Sequence, residues 1–314
     1  MNYGVPYMGS KSRIVKEVCD LFPKAENFYD LFAGGCAVTH YLLDKHKFNH
    51  FHINDISDSV QLFMNAVNGA FEGDTRWISR EEFFAKKDTD PYIRYCWSFG
   101  NMGTTYMYAR EIEEWKRALH HVFLLNDYSI MKKFGIDDEG MTRTSIAKNA
   151  ERYREKYVEW YLKNVDSELS DHRMESLRQF GSVQNLQNLQ RVQRLNSLQR
   201  MKYFNVKERL TMTMGDYQSV EIKPNSLIYT DIPYSNTAEY NESSFDYERF
   251  YDWACNQSNP VFISEYYMPD DRFECVKEIE LNSILSATAV NKVIEKVFVP
   301  KGQMTTIHKQ LKIF

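Results

Sequence analysis

The sequence predicts an α/β protein in which a mainly parallel sheet, built from both ends of the chain, is interrupted by a mainly helical insertion. Three observations carry this. Short apolar runs around residues 28–32, 51–53, 227–229 and 261–263 have the length and continuity of strands buried on both faces. The first of them leads through a glycine pair into a helical pattern, the alternation of a βα unit. From residue 72 onward the periodicity turns helical and the density of charge rises. Residues 1–71 and 205–314 are therefore expected to form one sheet domain, with 72–204 as the insertion.

At 314 residues, with 43% hydrophobic and 15% aromatic residues, the chain has ample material for a core. Its longest apolar runs fall far short of the roughly 20 residues a membrane span requires. The opening stretch MNYGVPYMGSKSRI has no apolar signal-peptide core, so a cytoplasmic protein is expected. Cys19, Cys36, Cys96, Cys255 and Cys275 are odd in number and scattered, with no C-x-x-C pair. That excludes a zinc framework and points to reduced thiols. The net charge of −4 argues against a protein that coats nucleic acid, yet the charge is uneven: residues 210–314 carry −6 and residues 172–209 carry +6. A local basic face can still bind phosphates.

In chain order, residues 6–11 (PYMGSK) read as a turn with Tyr7, Gly9 and Lys11, followed by a helical pattern. Phe28–Phe32 reads as a strand, Gly34-Gly35 as a tight turn and Ala37–Leu43 as a helix. Two glycines there let a ligand approach the backbone, and a helix N-terminus favours polar or anionic groups. A second strand ends in Asn54-Asp55, at the distance where an acid of a nucleotide-binding βαβ unit meets ribose hydroxyls. The third glycine of G-x-G-x-x-G is missing, so the spacing alone fits more than one nucleoside-bearing cofactor.

In the insertion, WISREEFFAKK and AREIEEWKRALHHVFLL read as amphipathic helices. RTSIAKNAERYREKYVEWYLK reads as a further helix, solvated by default. Between the first two, Trp97, Phe99, Tyr106 and Tyr108 surround Ser98, Asn101 and two glycines. This loop is either domain-junction packing or an element through which Ser98 and Asn101 reach a nucleic acid. Residues 174–204 place an apolar residue at every third position, a period matching neither helix nor strand. Arg191, Arg194 and Arg200 there are candidate phosphate contacts, and a tolerated low-complexity insertion is the alternative. RLTMTMGDYQSVEI returns to a strand pattern ending in Gly215-Asp216-Tyr217. PVFISEYY reads as a buried strand, Asp246 as a helix N-cap, and NKVIEKVFVPKG and then TTIHKQLKIF as closing strands.

The stretch Ile228-Tyr229-Thr230-Asp231-Ile232-Pro233-Tyr234 is a strand that opens into a site. In open α/β sheets, ligands collect beyond the carboxyl ends of strands, which is where Asp231 falls. Pro233 fixes its own φ and restricts Ile232, so the carbonyl of Ile232 points in a set direction, and Tyr234 adds a flat face. An acid, a carbonyl and an aromatic plate are what recognition of an exocyclic amine on a flipped base needs. A turn-capping acid and a core tyrosine are the plain alternative.

That tetrapeptide resembles the D-P-P-Y motif of amino-methyltransferases, and the sequence around it is similar to Dam-type DNA adenine-N6 methyltransferases. The resemblance covers residues 6–70 and 205–300 in the family's motif order. It implies a Rossmann-like methyltransferase sheet with an inserted helical target-recognition domain, and methyl transfer from S-adenosylmethionine to adenine N6 in double-stranded DNA without a metal. Tyr7 and Lys11 match the family's aromatic-x-G-x-K element. FAGGCAV resembles its F-x-G-x-G donor loop, with Phe32 and Gly34 in place, Gly35 displaced by one and Cys36 where the second glycine is usual. Asp55, Asp216, Tyr217 and Asp231 complete the implied donor site, while Asp231, Ile232, Pro233 and Tyr234 are the implied catalytic residues. Ile232 stands where the family usually has proline. Family members occur in bacteria and phages, some in restriction-modification systems. A catalytically silent DNA-binding protein of the same fold and an RNA or protein-amide methyltransferase remain open.

Overall fold

The computed structural model describes residues 3–137, 142, 148–166, 174, 206, 208–234, 245–282 and 292–303. Two compact units emerge: Met1–Ala70 with Met201–Phe314, and Phe71–Arg200.

The first unit is built on seven strands, β1 (Asn27–Asp30), β2 (His50–Asp55), β3 (Leu210–Met214), β4 (Ser226–Asp231), β5 (Val261–Glu265), β6 (Phe273–Asn282) and β7 (Lys292–Pro300). Their order in the sheet is β3-β2-β1-β4-β5-β7-β6. The first five are parallel; β7 runs antiparallel to β5, and β6 antiparallel to β7. β1 and β4 are neighbours in register Asn27↔Ser226 to Asp30↔Tyr229, although the whole insertion separates them in sequence. Strand order reverses at this pair, so a crevice opens beyond their carboxyl ends. All four residues of β1 and five of six in β4 are buried, as a doubly covered parallel strand requires. One core cluster gathers Tyr29, Ile228, Phe250, Val261 and Phe298, with Ile232 among them.

The helix Ala37–Lys45 follows β1, Ser59–Val67 follows β2 and Tyr247–Cys255 precedes β5. Asp246 caps the last, its carboxylate accepting the Arg249 N–H at 3.0 Å. The strand β6 (FECVKEIELN) had no strong sequence signature, because an edge strand with a bulge between Cys275 and Lys277 buries few of its residues.

The second unit contains the helices Arg80–Lys86, Pro91–Cys96, Glu113–His120, Ser129–Lys133 and Ala150–Asn164. Ser79 and Asp90 cap the first two, and Pro91 takes the position where its missing N–H costs nothing. The expectation of a solvated helix over 143–163 needs correcting. Tyr153, Tyr157 and Tyr161 recur every fourth residue and are buried in one stripe, and the Tyr157 hydroxyl donates to the Glu111 carbonyl at 2.6 Å. The alternating charges occupy the remaining faces, so charge content hid an aromatic stripe of helical period. Apart from Met174, the period-three stretch, with Arg191, Arg194 and Arg200, lies outside the described residues, as does the stretch after Gln303. No helix among the described residues is long and apolar enough to cross a membrane.

Candidate active site

A cavity of about 800 Å³ lies at the carboxyl ends of β1, β2 and β4. The structure brings Tyr7, Lys11, Phe32, Gly34, Gly35, Asp55, Asp216, Tyr217, Asp231, Ile232, Pro233 and Tyr234 together on its wall. These residues come from five separated stretches of sequence, and the β1/β4 adjacency brings the second and last of them together.

The glycine pair is needed because protein, not only ligand, comes close. A Cβ on Gly34 would sit 2.8 Å from the Tyr7 ring, and one on Gly35 would sit 2.8 Å from both the Tyr7 Cβ and the Val5 carbonyl. Gly4 (φ 77°) crosses the same turn, where a Cβ would stand 2.3 Å from the Gly35 carbonyl. The Val5 N–H donates to that carbonyl at 2.8 Å. The N-terminal segment is thus laid on the turn, and His40 secures it by accepting the Gly4 N–H on Nδ1 at 2.9 Å. Cys36 adopts φ 57°, the left-handed conformation that glycine takes most readily, which explains how it stands in a glycine-type position. On the other side of the turn, Asp55 accepts the Gly34 N–H at 2.8 Å and the Ser57 N–H at 2.8 Å, one on each carboxylate oxygen. Each oxygen keeps a lone pair for a hydroxyl group.

An aromatic floor lies beside this turn: Phe32 is 5.2 Å from Tyr217 and 5.7 Å from Phe245, ring centre to ring centre. Asp216 does not stand alone, since Arg249 pairs with it at 3.0 Å and also lines the cavity. Ile56, next to Asp55, is 84% exposed on the same wall and offers an apolar ledge.

At the other end, Lys11 is buried and pairs with Asp231 Oδ1 at 2.7 Å, with Glu295 Oε1 3.7 Å away. It also donates to the Tyr234 hydroxyl, which lies 2.6 Å from Glu295 Oε1 and 3.1 Å from Asp231 Oδ1. Burial works against the Lys11 ammonium, but the Asp231 and Glu295 carboxylates outweigh it and hold its pKa above the ordinary value. Burial raises both carboxylates, with Lys11 opposing. It raises the Tyr234 phenol as well, reinforced by the two acids, so that group stays protonated. The Tyr266 ring lies 4.4 Å from that of Tyr234 at 54°. Ile232 departs from the family's proline, yet its side chain is 2% exposed in the core. The next carbonyl, that of Pro233, accepts the Tyr247 hydroxyl at 3.0 Å. Side-chain burial and this bond hold the loop where a second proline ring is absent.

A family model described as D12 class N6 adenine-specific DNA methyltransferase matches residues 7–254. The chain belongs to this family. As a D12-class protein it is an adenine-specific DNA methyltransferase on a Rossmann-like α/β sheet. Two solved structures of the rRNA methyltransferase aviRa from Streptomyces viridochromogenes are similar to it at 10% identity. Their TM-scores are 0.38 and 0.36, and the alignments cover 96% and 92% of this chain and 89% and 84% of that chain. No curated protein matches.

Several residues in or against this cavity carry little or no signal in the sequence. Glu295 had a signal, an acid within the apolar strand VIEKVFV, and so had Asp30 within NFYDLF. Arg249, Ile56 and Tyr266 had none, since their meaning is spatial. Asp30 is buried on the cavity wall and accepts the Thr39 hydroxyl at 2.7 Å. Burial pushes its pKa up to about 7. Because the folded value lies above the unfolded one, the native state holds the extra proton, and stability falls as pH rises from about 4 through 7. Asp30→Asn is therefore expected to stabilise the free protein by roughly 2–4 kcal/mol at pH 8 relative to pH 4, read as urea midpoints at the two pH values.

Ser98 and Asn101 belong to the second unit. Ser98 is 1% exposed and its hydroxyl accepts the Gly103 N–H at 2.9 Å, so it shapes the loop. Asn101 is half-buried at φ 61°, beside Phe99, which is 64% exposed. Among the described residues no group of three or more His, Cys, Asp or Glu could hold a metal ion.

Proposed function

We propose that this D12-class chain transfers a methyl group from S-adenosylmethionine to N6 of an adenine taken out of duplex DNA, in the cytoplasm of a bacterial or phage-infected cell. The observation that carries the reading is the meeting of Asp231, Lys11 and Tyr234 in the same cavity as the Gly34–Asp55 turn.

The cavity suits the donor. Its wall carries Asp30, Asp55, Asp216, Asp231 and Asp246 against Lys11 and Arg249, an excess of acid that favours a cationic ligand. Asp55 would take the ribose hydroxyls, Ile56 and the Phe32–Tyr217 floor the adenine ring, and the segment from Tyr7 to Lys11 the amino-acid end. When bound, S-adenosylmethionine supplies an electrophilic methyl group on a sulfonium centre.

The amino group of adenine is a poor nucleophile because its lone pair is delocalised into the ring. Asp231 and the carbonyl of Ile232 accept its two hydrogens and concentrate density on nitrogen. Tyr234 holds the base plane at attack distance, the orientation part of the rate enhancement. Asp231 accepts the proton that N6 sheds after transfer.

The second unit is proposed as the target-recognition domain. Asn101 and the exposed Phe99 offer the contacting face of its loop, while Ser98 acts from behind it. Arg191, Arg194 and Arg200 are proposed for phosphates. Incubation with S-adenosylmethionine labelled on the methyl group and unmethylated duplex DNA tests the reading. Label is expected in N6-methyladenine; label only in RNA or protein, or none with donor bound, would sink it.

A further inference from the structure

Alternate residues of a strand share a face, so Glu295 sits in a stripe with Val293, Val297 and Val299 on β7. It is 2% exposed. An ionised carboxylate is too costly to bury among aliphatic side chains unless specific partners hold it. Its partners are Tyr234 and Lys11, both residues of the active site. Glu295 itself is not part of the cavity wall, so whatever it does for the reaction passes through them.

A phenol has one proton to give. The Tyr234 oxygen lies 2.6 Å from Glu295 Oε1 and 3.1 Å from Asp231 Oδ1, and it already receives a hydrogen bond from Lys11. The short contact takes the proton. Donation therefore runs from Lys11 to the Tyr234 oxygen and from the Tyr234 hydroxyl to Glu295. With a neutral amide in place of the Glu295 carboxylate, the hydroxyl would turn to the charged and therefore stronger acceptor Asp231, 3.1 Å away, and occupy lone pairs that the target amine needs.

We propose that Glu295 is a positioning residue: it draws the Tyr234 hydroxyl to itself, which fixes the aromatic ring and keeps Asp231 open as the acceptor for the target amine. This rests on the reading of Asp231 and Tyr234 as the amine site.

The test is a double-mutant cycle of Glu295→Gln with Tyr234→Phe, in the full chain. Glu295→Gln is expected to lower kcat about ten-fold, the scale of one hydrogen bond, with the KM for S-adenosylmethionine within about two-fold. In the Tyr234→Phe background, with no hydroxyl to redirect, the same substitution is expected to cost less than about two-fold. An equal cost in both backgrounds, or a cost that appears only in the donor KM, overturns the proposal. A second readout does not depend on turnover: with tyrosine labelled by carbon-13 at Cζ, the resonance lost in Tyr234→Phe must move in Glu295→Gln. A resonance that stays in place overturns the proposal whether or not methyl is transferred. Wild-type protein that transfers none, with the resonance moving, overturns the functional reading instead and leaves the Glu295–Tyr234 link standing.

Discussion

Asp231→Ala is expected to lower methyl transfer to duplex DNA by about three orders of magnitude, the scale seen when a group aimed at the reacting centre is removed. The side chain stands at the end of β4, the one partly exposed position of a buried strand, and Lys11 holds one of its oxygens at 2.7 Å. Such fixation places an acceptor before the substrate arrives, and nothing else described on the cavity wall occupies the same point. Asp231→Asn separates the contributions. It keeps the volume and one acceptor but brings an NH2 group toward a lysine ammonium that can only donate. It is therefore expected to lose nearly as much activity while melting closer to wild type than the alanine variant. Single-turnover transfer of labelled methyl, set beside thermal melts, measures both. Activity within ten-fold of wild type in either variant would remove Asp231 from the chemistry.

Lys11→Met is expected to damage the fold more than any other single change at the site. Two carboxylates, the buried Glu295 and the partly buried Asp231, share this one ammonium. Removing one member of a buried charged group typically costs about 3–5 kcal/mol, because the remainder is left uncompensated. The pH dependence has a definite sign. Burial already raises both acids, and without Lys11 they rise further, so the native state binds more protons than the unfolded chain. The deficit should therefore be small in mild acid and grow as pH rises through the shifted carboxyl values. Urea midpoints at pH 5 and pH 8 check this, and Lys11→Met combined with Glu295→Gln should recover part of the loss. A deficit independent of pH would mean that packing, not charge, is what Lys11 supplies.

Much of the sheet could be read from the sequence because β1, β2, β4 and β5 each couple an apolar run to a recognisable end: a glycine pair, an acid, or the Asp-Ile-Pro-Tyr turn. Cavity-lining residues that lie within such local patterns, such as Asp55 or Tyr234, announce themselves. Glu295 and Arg249 do not. Each is a single charged residue whose role depends on which strand or helix lies beside it, and that follows from the sheet order, not from spacing. The helix Ala150–Asn164 illustrates a different failure, in which abundant charge masked three tyrosines on one face. The glycine pair was placed correctly in a turn, but its first neighbour proved to be Tyr7 of the chain itself, which only the folded geometry reveals.

The contact between Lys11 and Tyr234 joins residues 223 positions apart. On a ribosome adding roughly 5–20 residues per second, the lysine emerges about 11 to 45 s before its partner exists. For most of that interval the nascent chain holds the β1 and β2 sequences with neither β4 nor the Asp231 that pairs the lysine. Final assembly of the catalytic unit is thus a late event, completed only when the last strands are synthesised. A product truncated after the insertion would present unpaired parallel strands to its neighbours, the kind of surface that recruits chaperones or aggregates.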